Sequence, residues 1–147
     1  MMMPSPKERV RIFPWRLLGV LLLVMTLWRL VIAALLPVTQ DEAYYFDWAR
    51  SLAWGYFDHP PGVAVLGLGT RVVPGSAVAA RLGGIIAGTL TLILLARLYF
   101  HCGLTAVRDL GLALVLVCAT LPGLAGGVVT TPDSVLALAW AMALHEA

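Results

Sequence analysis

The sequence predicts an all-α, polytopic membrane fold, with interfacial helices in its first outer loop. Three observations predict it. Of 147 residues, 61% are hydrophobic and only 12% charged, whereas soluble domains are nearer half apolar and a quarter charged. Apolar runs long enough to cross a bilayer recur along the chain. Between the first two lies one polar, aromatic stretch, Thr39 to Gly62, which holds Asp41, Glu42, Asp47 and Asp58, four of the eight acids.

Residues 1–14 carry Lys7, Arg9 and Arg11 and read as a cytoplasmic N-terminus. The run 15–36 follows, about 33 Å as a helix and enough to span. A cleaved signal peptide competes with this reading. Against it, the run is long, is interrupted by Arg29, and lacks a clear small-x-small site. Arg29 costs several kcal/mol against lipid, so it should turn inward to other helices or water; the alternative is snorkelling from a tilted helix.

The outer loop covers 37–76. Thr39-Gln40-Asp41-Glu42 is a capping box that starts a helix. Tyr44, Trp48 and Leu52 recur on one face at i, i+4 and i+8, with Asp47, Arg50 and Ser51 on the other. That pattern predicts an amphipathic helix with an apolar aromatic face at headgroup level. Asp58-His59-Pro60-Pro61 is held extended by its prolines and presents Asp58 and His59 rigidly; the plain alternative is a surface turn. Val63 to Val73 is too short to span and predicts one interfacial helix.

The second span is expected over 77–100, where Gly83, Gly84 and Gly88 permit close approach to a neighbour. A third is expected over 110–129, unbroken only to Leu121 before Pro122, Gly123, Gly126 and Gly127. The fourth, 134–147, follows Thr131-Pro132-Asp133, a helix start with Thr at the N-cap, Pro at N1 and an acid in the first turn. Lys7, Arg9, Arg11 and Arg16, and the connector residues Arg97, His101 and Arg108, belong in the cytoplasm by the positive-inside rule. The Thr39–Gly62 loop and Asp133 then emerge together outside.

For Asp41, Glu42 and Asp133 two readings stand. They complement helix dipoles, or they are active carboxylates on one membrane face. The net charge of +2, with dispersed basic residues, points away from nucleic acid. Two cysteines make no disulfide framework. No spacing supports a metal site, and no metal or other cofactor is expected.

Asp41-Glu42 after the first span, GYFDHPP closing the loop, Ala80-Arg81-Leu82 opening the second span, and Thr131-Pro132-Asp133 before the fourth occur in this order. In that order they resemble the N-terminal part of a GT-C membrane glycosyltransferase of the protein O-mannosyltransferase and aminoarabinose transferase superfamily. The resemblance covers 15–147 and implies an incomplete GT-C-like module.

It implies that Asp41 is the catalytic base, that Glu42 is its neighbour in the motif, and that Asp133 lines the same site. Tyr44, Tyr45, Arg50, Asp58, His59 and Arg81 are the expected substrate contacts, with His59, Arg50 and Arg81 as partners for a phosphate. Aminoarabinose transferases have Lys where this chain has His59, a departure that argues against that sugar. The implied donor is a polyprenyl-phosphate-linked sugar and the acceptor an extracytoplasmic lipid, glycan or protein. The implied place is the inner (plasma) membrane, multi-pass, with the site on its outer side. Two rivals remain: a non-catalytic multispan scaffold, and a fragment of a proton-coupled transporter.

The fourth helix rises only about 21 Å over 134–147, short of the roughly 30 Å hydrocarbon core. Family members have further spans and an outer domain. The chain is therefore expected to be an N-terminal piece, inactive alone.

Overall fold

The computed structural model describes residues 13–146. Lys7, Arg9 and Arg11, most of the expected cytoplasmic segment and Ala147 lie outside them. Among the described residues every regular element is helical.

Helix α1 spans Trp15–Leu35. It ends because Pro37 disfavours the helical region for the residue before it; Leu36 is extended at φ −79°, ψ 133°. Only 17% of its most apolar window is buried. Trp15, Val20, Leu23, Val24, Leu27, Trp28, Val31 and Leu35 all stand exposed. An apolar surface of that extent asks for lipid or protein cover. Helix α5, Ala77–His101, is the second one long and apolar enough to cross a membrane. The Ser76 hydroxyl caps it by accepting from the Ala79 amide at 3.2 Å.

Between them, α2 covers Gln40–Arg50 and carries the expected capping box. Its buried face is Glu42, Tyr45, Phe46 and Ala49. The expected face through Tyr44, Trp48 and Leu52 is corrected at its end, since Leu52 lies beyond the helix, while Tyr44 stands exposed. The single interfacial helix expected over Val63–Val73 is two short ones, α3 at Gly62–Leu66 and α4 at Gly69–Val72. They turn at Gly67, which packs on Phe46 and Ala49 of α2.

Helix α6 is Val107–Ala119 and α7 is Leu121–Ala125. The span expected over 110–129 is thus divided, and at Thr120 rather than at the proline. Thr120 is extended, and its hydroxyl accepts from the Gly123 amide at 3.1 Å. Pro122 then sits in the first turn of α7, where its missing N–H costs nothing. Helix α8, Pro132–Glu146, begins one residue after Thr131. At 13 and 15 residues, α6 and α8 rise about 20 and 22 Å, less than a full crossing.

Helix α5 is the hub and packs most extensively on α8 and α1. It runs antiparallel to α1: Leu18 meets Ala96 at one end, with Leu110 and Leu114 of α6, and Ala33 meets Ile85 and Val128 at the other. Of the three glycines expected to allow close approach, two do so. A Cβ on Gly83 would collide with the Leu66 backbone, and one on Gly88 would lie 2.9 Å from the Gly127 Cα, while Gly84 leaves ordinary room.

Candidate functional site

The site is built on an ion pair that is itself out of reach. Glu42 is the third residue of α2 and Arg81 the fifth of α5; both side chains are 0% exposed. Arg81 donates through Nε to Glu42 Oε1 at 2.8 Å and through Nη2 to Oε2 at 2.6 Å. Its other N–H groups go to the carbonyls of Ala33, Leu36 and Pro37, each at 2.9 Å. Those carbonyls are left over where α1 ends, so a cation there also answers the helix dipole. All five guanidinium N–H groups are thereby used.

Glu42 is equally consumed. Besides Arg81 it accepts the Thr39 amide at 3.0 Å and the Thr130 amide at 3.1 Å, so each oxygen takes two bonds. Burial pushes its carboxyl up. The hydrogen bonds from Arg81, Thr39 and Thr130 and the Arg81 charge outweigh that and hold it below the usual carboxylate range. The pair joins the end of α1, the starts of α2 and α5, and the segment before α8. Two expected roles are corrected here. Glu42 has no free lone pair for base chemistry, and Arg81 has no free donor for a phosphate.

One turn further along α2 the chain assembles a different kind of place. Tyr45 Oη lies 3.0 Å from His59 Nε2. Burial raises the Tyr45 pKa above its ordinary 10.0, and the charges of Asp41, Asp58 and Asp133 raise it further. Asp41 precedes Tyr45 by one turn of α2, Asp58 adjoins His59 in the chain, and the first turn of α8, which carries Asp133, packs on Gly62 through Val135. The Tyr45 phenol stays protonated at neutral pH and can donate to a neutral His59.

The loop 51–59 folds back to complete the cluster. Tyr56 stacks on Trp48 at 4.2 Å with the rings 7° apart. Its hydroxyl proton is shared between the Trp48 and Ser51 carbonyls, and its oxygen accepts the Ala53 amide, all at 3.1 Å. Tyr44 packs on Trp48 at 4.4 Å. At the loop tip Trp54 and Phe57 are each 98% exposed, as suits rings at a headgroup layer.

Asp41, Asp58, Asp133, Tyr45 and His59 are therefore brought together, with Tyr44 beside them. Arg50 is not. Nine residues at about 100° each put it half a turn round α2 from Asp41. There its one charged partner among the described residues is Asp47, at 3.7 Å, with both side chains more than 70% exposed, and it lines a groove with Thr70 and Ala80. Arg50 as a phosphate contact is corrected accordingly.

Sequence reasoning missed the Thr130 amide and the Tyr56–Trp48 stack. No local signal marks the first; the crowding of aromatics between Tyr44 and Phe57 could have marked the second. Asp133 also borders a cavity of about 370 Å³ that reaches down between α5, α6 and α8 to Arg29. Arg29 is 4% exposed, turned inward as expected.

Comparison with known protein families, with curated proteins and with solved structures finds no match.

Proposed function

We propose that this chain carries the outward-facing acceptor site of a membrane glycosyltransferase, one that moves a sugar from a polyprenyl-phosphate carrier to an extracytoplasmic lipid, glycan or protein. The observation that carries the reading is that Asp41 stands exposed with its carboxylate unspent, one turn of α2 before the hydrogen-bonded Tyr45–His59 pair. The order of motifs shared with the GT-C superfamily supports it from the sequence side.

Asp41 is the base in this reading because, unlike Glu42, it is exposed and its carboxylate is unspent. It takes the proton of the acceptor hydroxyl as that oxygen bonds to the anomeric carbon. The bond from that carbon to the carrier phosphate breaks, and polyprenyl phosphate leaves with the electron pair. One displacement inverts the anomeric centre. The phosphate leaves as an anion, so it needs hydrogen-bond donors more than an acid. His59, when protonated, is the donor at hand. Aromatic rings of the Tyr44–Trp48–Tyr56 cluster offer faces for a sugar.

The test is made in cells that express the protein with Asp41→Asn. Membrane insertion stays at the wild-type level, the carrier-linked sugar accumulates, and transfer falls by about 100-fold or more. Transfer at an unaltered rate overturns the reading in favour of a scaffold. Loss of a pH-gradient response in place of sugar transfer moves it to a proton-coupled transporter.

A further inference from the structure

The two buried arginines are treated in opposite ways. Arg81 spends every donor, whereas among the described residues Arg29 makes a single hydrogen bond, from Nη1 to the Thr89 hydroxyl at 3.5 Å, the edge of the useful range. Thr89 in turn donates to the Ile85 carbonyl. Arg29 forms no salt bridge among the described residues. Six residues, or about 9 Å, separate it from the end of α1 at Leu35, so it sits below the outer rim. A guanidinium buried there without an anion is costly.

The surrounding chain keeps space for it. A Cβ on Gly127 would collide with the Arg29 Nε, and one on Gly88 would lie 3.2 Å from Nη1. Beside the guanidinium opens the cavity of about 370 Å³, walled by Leu92, Leu95, Val117 and Leu121 and bordered at its outer end by Asp133. That volume is in the range of small-ligand sites, roughly 300–1,000 Å³.

We propose that this cavity binds an anionic amphiphile, with a singly charged oxyanion head on Arg29 and an alkyl chain along Leu92, Leu95, Val117 and Leu121. Three features select that chemistry. The lone buried cation needs one negative charge. The walls are apolar, which favours a chain-bearing anion over a free one. Asp133 borders the same space, so a doubly charged head meets repulsion. The cavity shares Asp133 with the Tyr45–His59 cluster, but its cation is Arg29 and binding there is read without sugar transfer, so either idea can fail alone.

The experiment uses the purified chain in neutral maltoside micelles and native mass spectrometry. The probes are dioctanoyl phosphatidylglycerol, dioctanoyl phosphatidylcholine and inorganic phosphate. The expected result is one phosphatidylglycerol bound per chain, at least ten-fold tighter than either other probe, and at least ten-fold weaker binding in Arg29→Gln. Wild-type affinity in Arg29→Gln overturns the site. Inorganic phosphate binding as tightly as phosphatidylglycerol overturns the amphiphile and leaves a free-anion site. Because Arg29→Gln can disturb packing, Asp133→Asn gives an independent readout on an exposed residue. Removing that charge tightens phosphatidylglycerol several-fold, and unchanged or weaker binding counts against a head placed on Arg29.

Discussion

Asp41 and Glu42 are adjacent in sequence and belong to opposite regions of the molecule. Glu42 faces inward, where four donors on two oxygens and the Arg81 guanidinium leave it nothing to give. Asp41 stands exposed, one turn before the Tyr45 phenol on the same helix. The difference comes from the helix: a step of one residue turns the side chain by about 100°. A carboxylate in the buried pair supplies architecture, and the exposed one keeps its lone pairs free. Neither can take the other's part without losing its own partners.

The sharpest way to break the comparison is to cut the buried pair. Arg81→Met or Glu42→Gln leaves a buried group without its partner, and the expected loss is about 3–5 kcal/mol, read by chemical unfolding in micelles. The double variant Arg81→Met/Glu42→Leu should lose less than the sum of the two single changes, because no uncompensated charge remains. Additive losses would mean that the two side chains act separately.

Asp41→Asn is the mirror experiment. It should lower transfer by about 100-fold while moving stability by no more than about 0.5 kcal/mol, as for an exposed position without special partners. A stability loss as large as that of Glu42→Gln would erase the contrast between the two regions.

Acid offers a gentler probe of the same pair. The folded-state pKa of Glu42 is held below its ordinary 4.5. Its contribution to stability is therefore fully present above about pH 5 and is lost as pH falls through the lowered folded value. Thermal unfolding of wild type should be flat from neutral pH to about 5 and decline below it, and Glu42→Gln should lack that decline. In the open region the sign is reversed. The Tyr45 pKa is raised, so the difference in phenolate absorbance between wild type and Tyr45→Phe should appear above pH 10.0.

The smallest effect is expected for Arg50→Ala. Its pairing with Asp47 is exposed and lies on the far side of α2. Stability should change by no more than about 0.5 kcal/mol, and transfer should stay at the wild-type level. A marked loss of transfer would return Arg50 to the site.

Local features were legible in the residues themselves. The capping box at Thr39–Glu42 needs four neighbours and no tertiary partner, and it forms as read. Helices α1 and α5 follow from length and apolarity alone. The inward turn of Arg29 follows from the cost of the alternative. The interruption of the third apolar run was visible in its proline and glycines, although its position at Thr120 was set by a hydroxyl bond the sequence does not announce.

The fates of Glu42, Arg81 and Arg50 were decided only by the tertiary structure. Glu42 finds its partners 39 and 88 residues away. Whether a first-turn acid merely caps its helix, joins a buried ion pair or stands free depends on which face the neighbouring helices cover. That face is fixed by the antiparallel packing of α1 on α5, through small side chains such as Ala33, which brings three leftover carbonyls and one carboxylate around Arg81. Sequence spacing sets the angle of each side chain about its own helix. What waits at that angle is set by elements far along the chain, and hydrogen-bond saturation then separates a structural carboxylate from an unspent one.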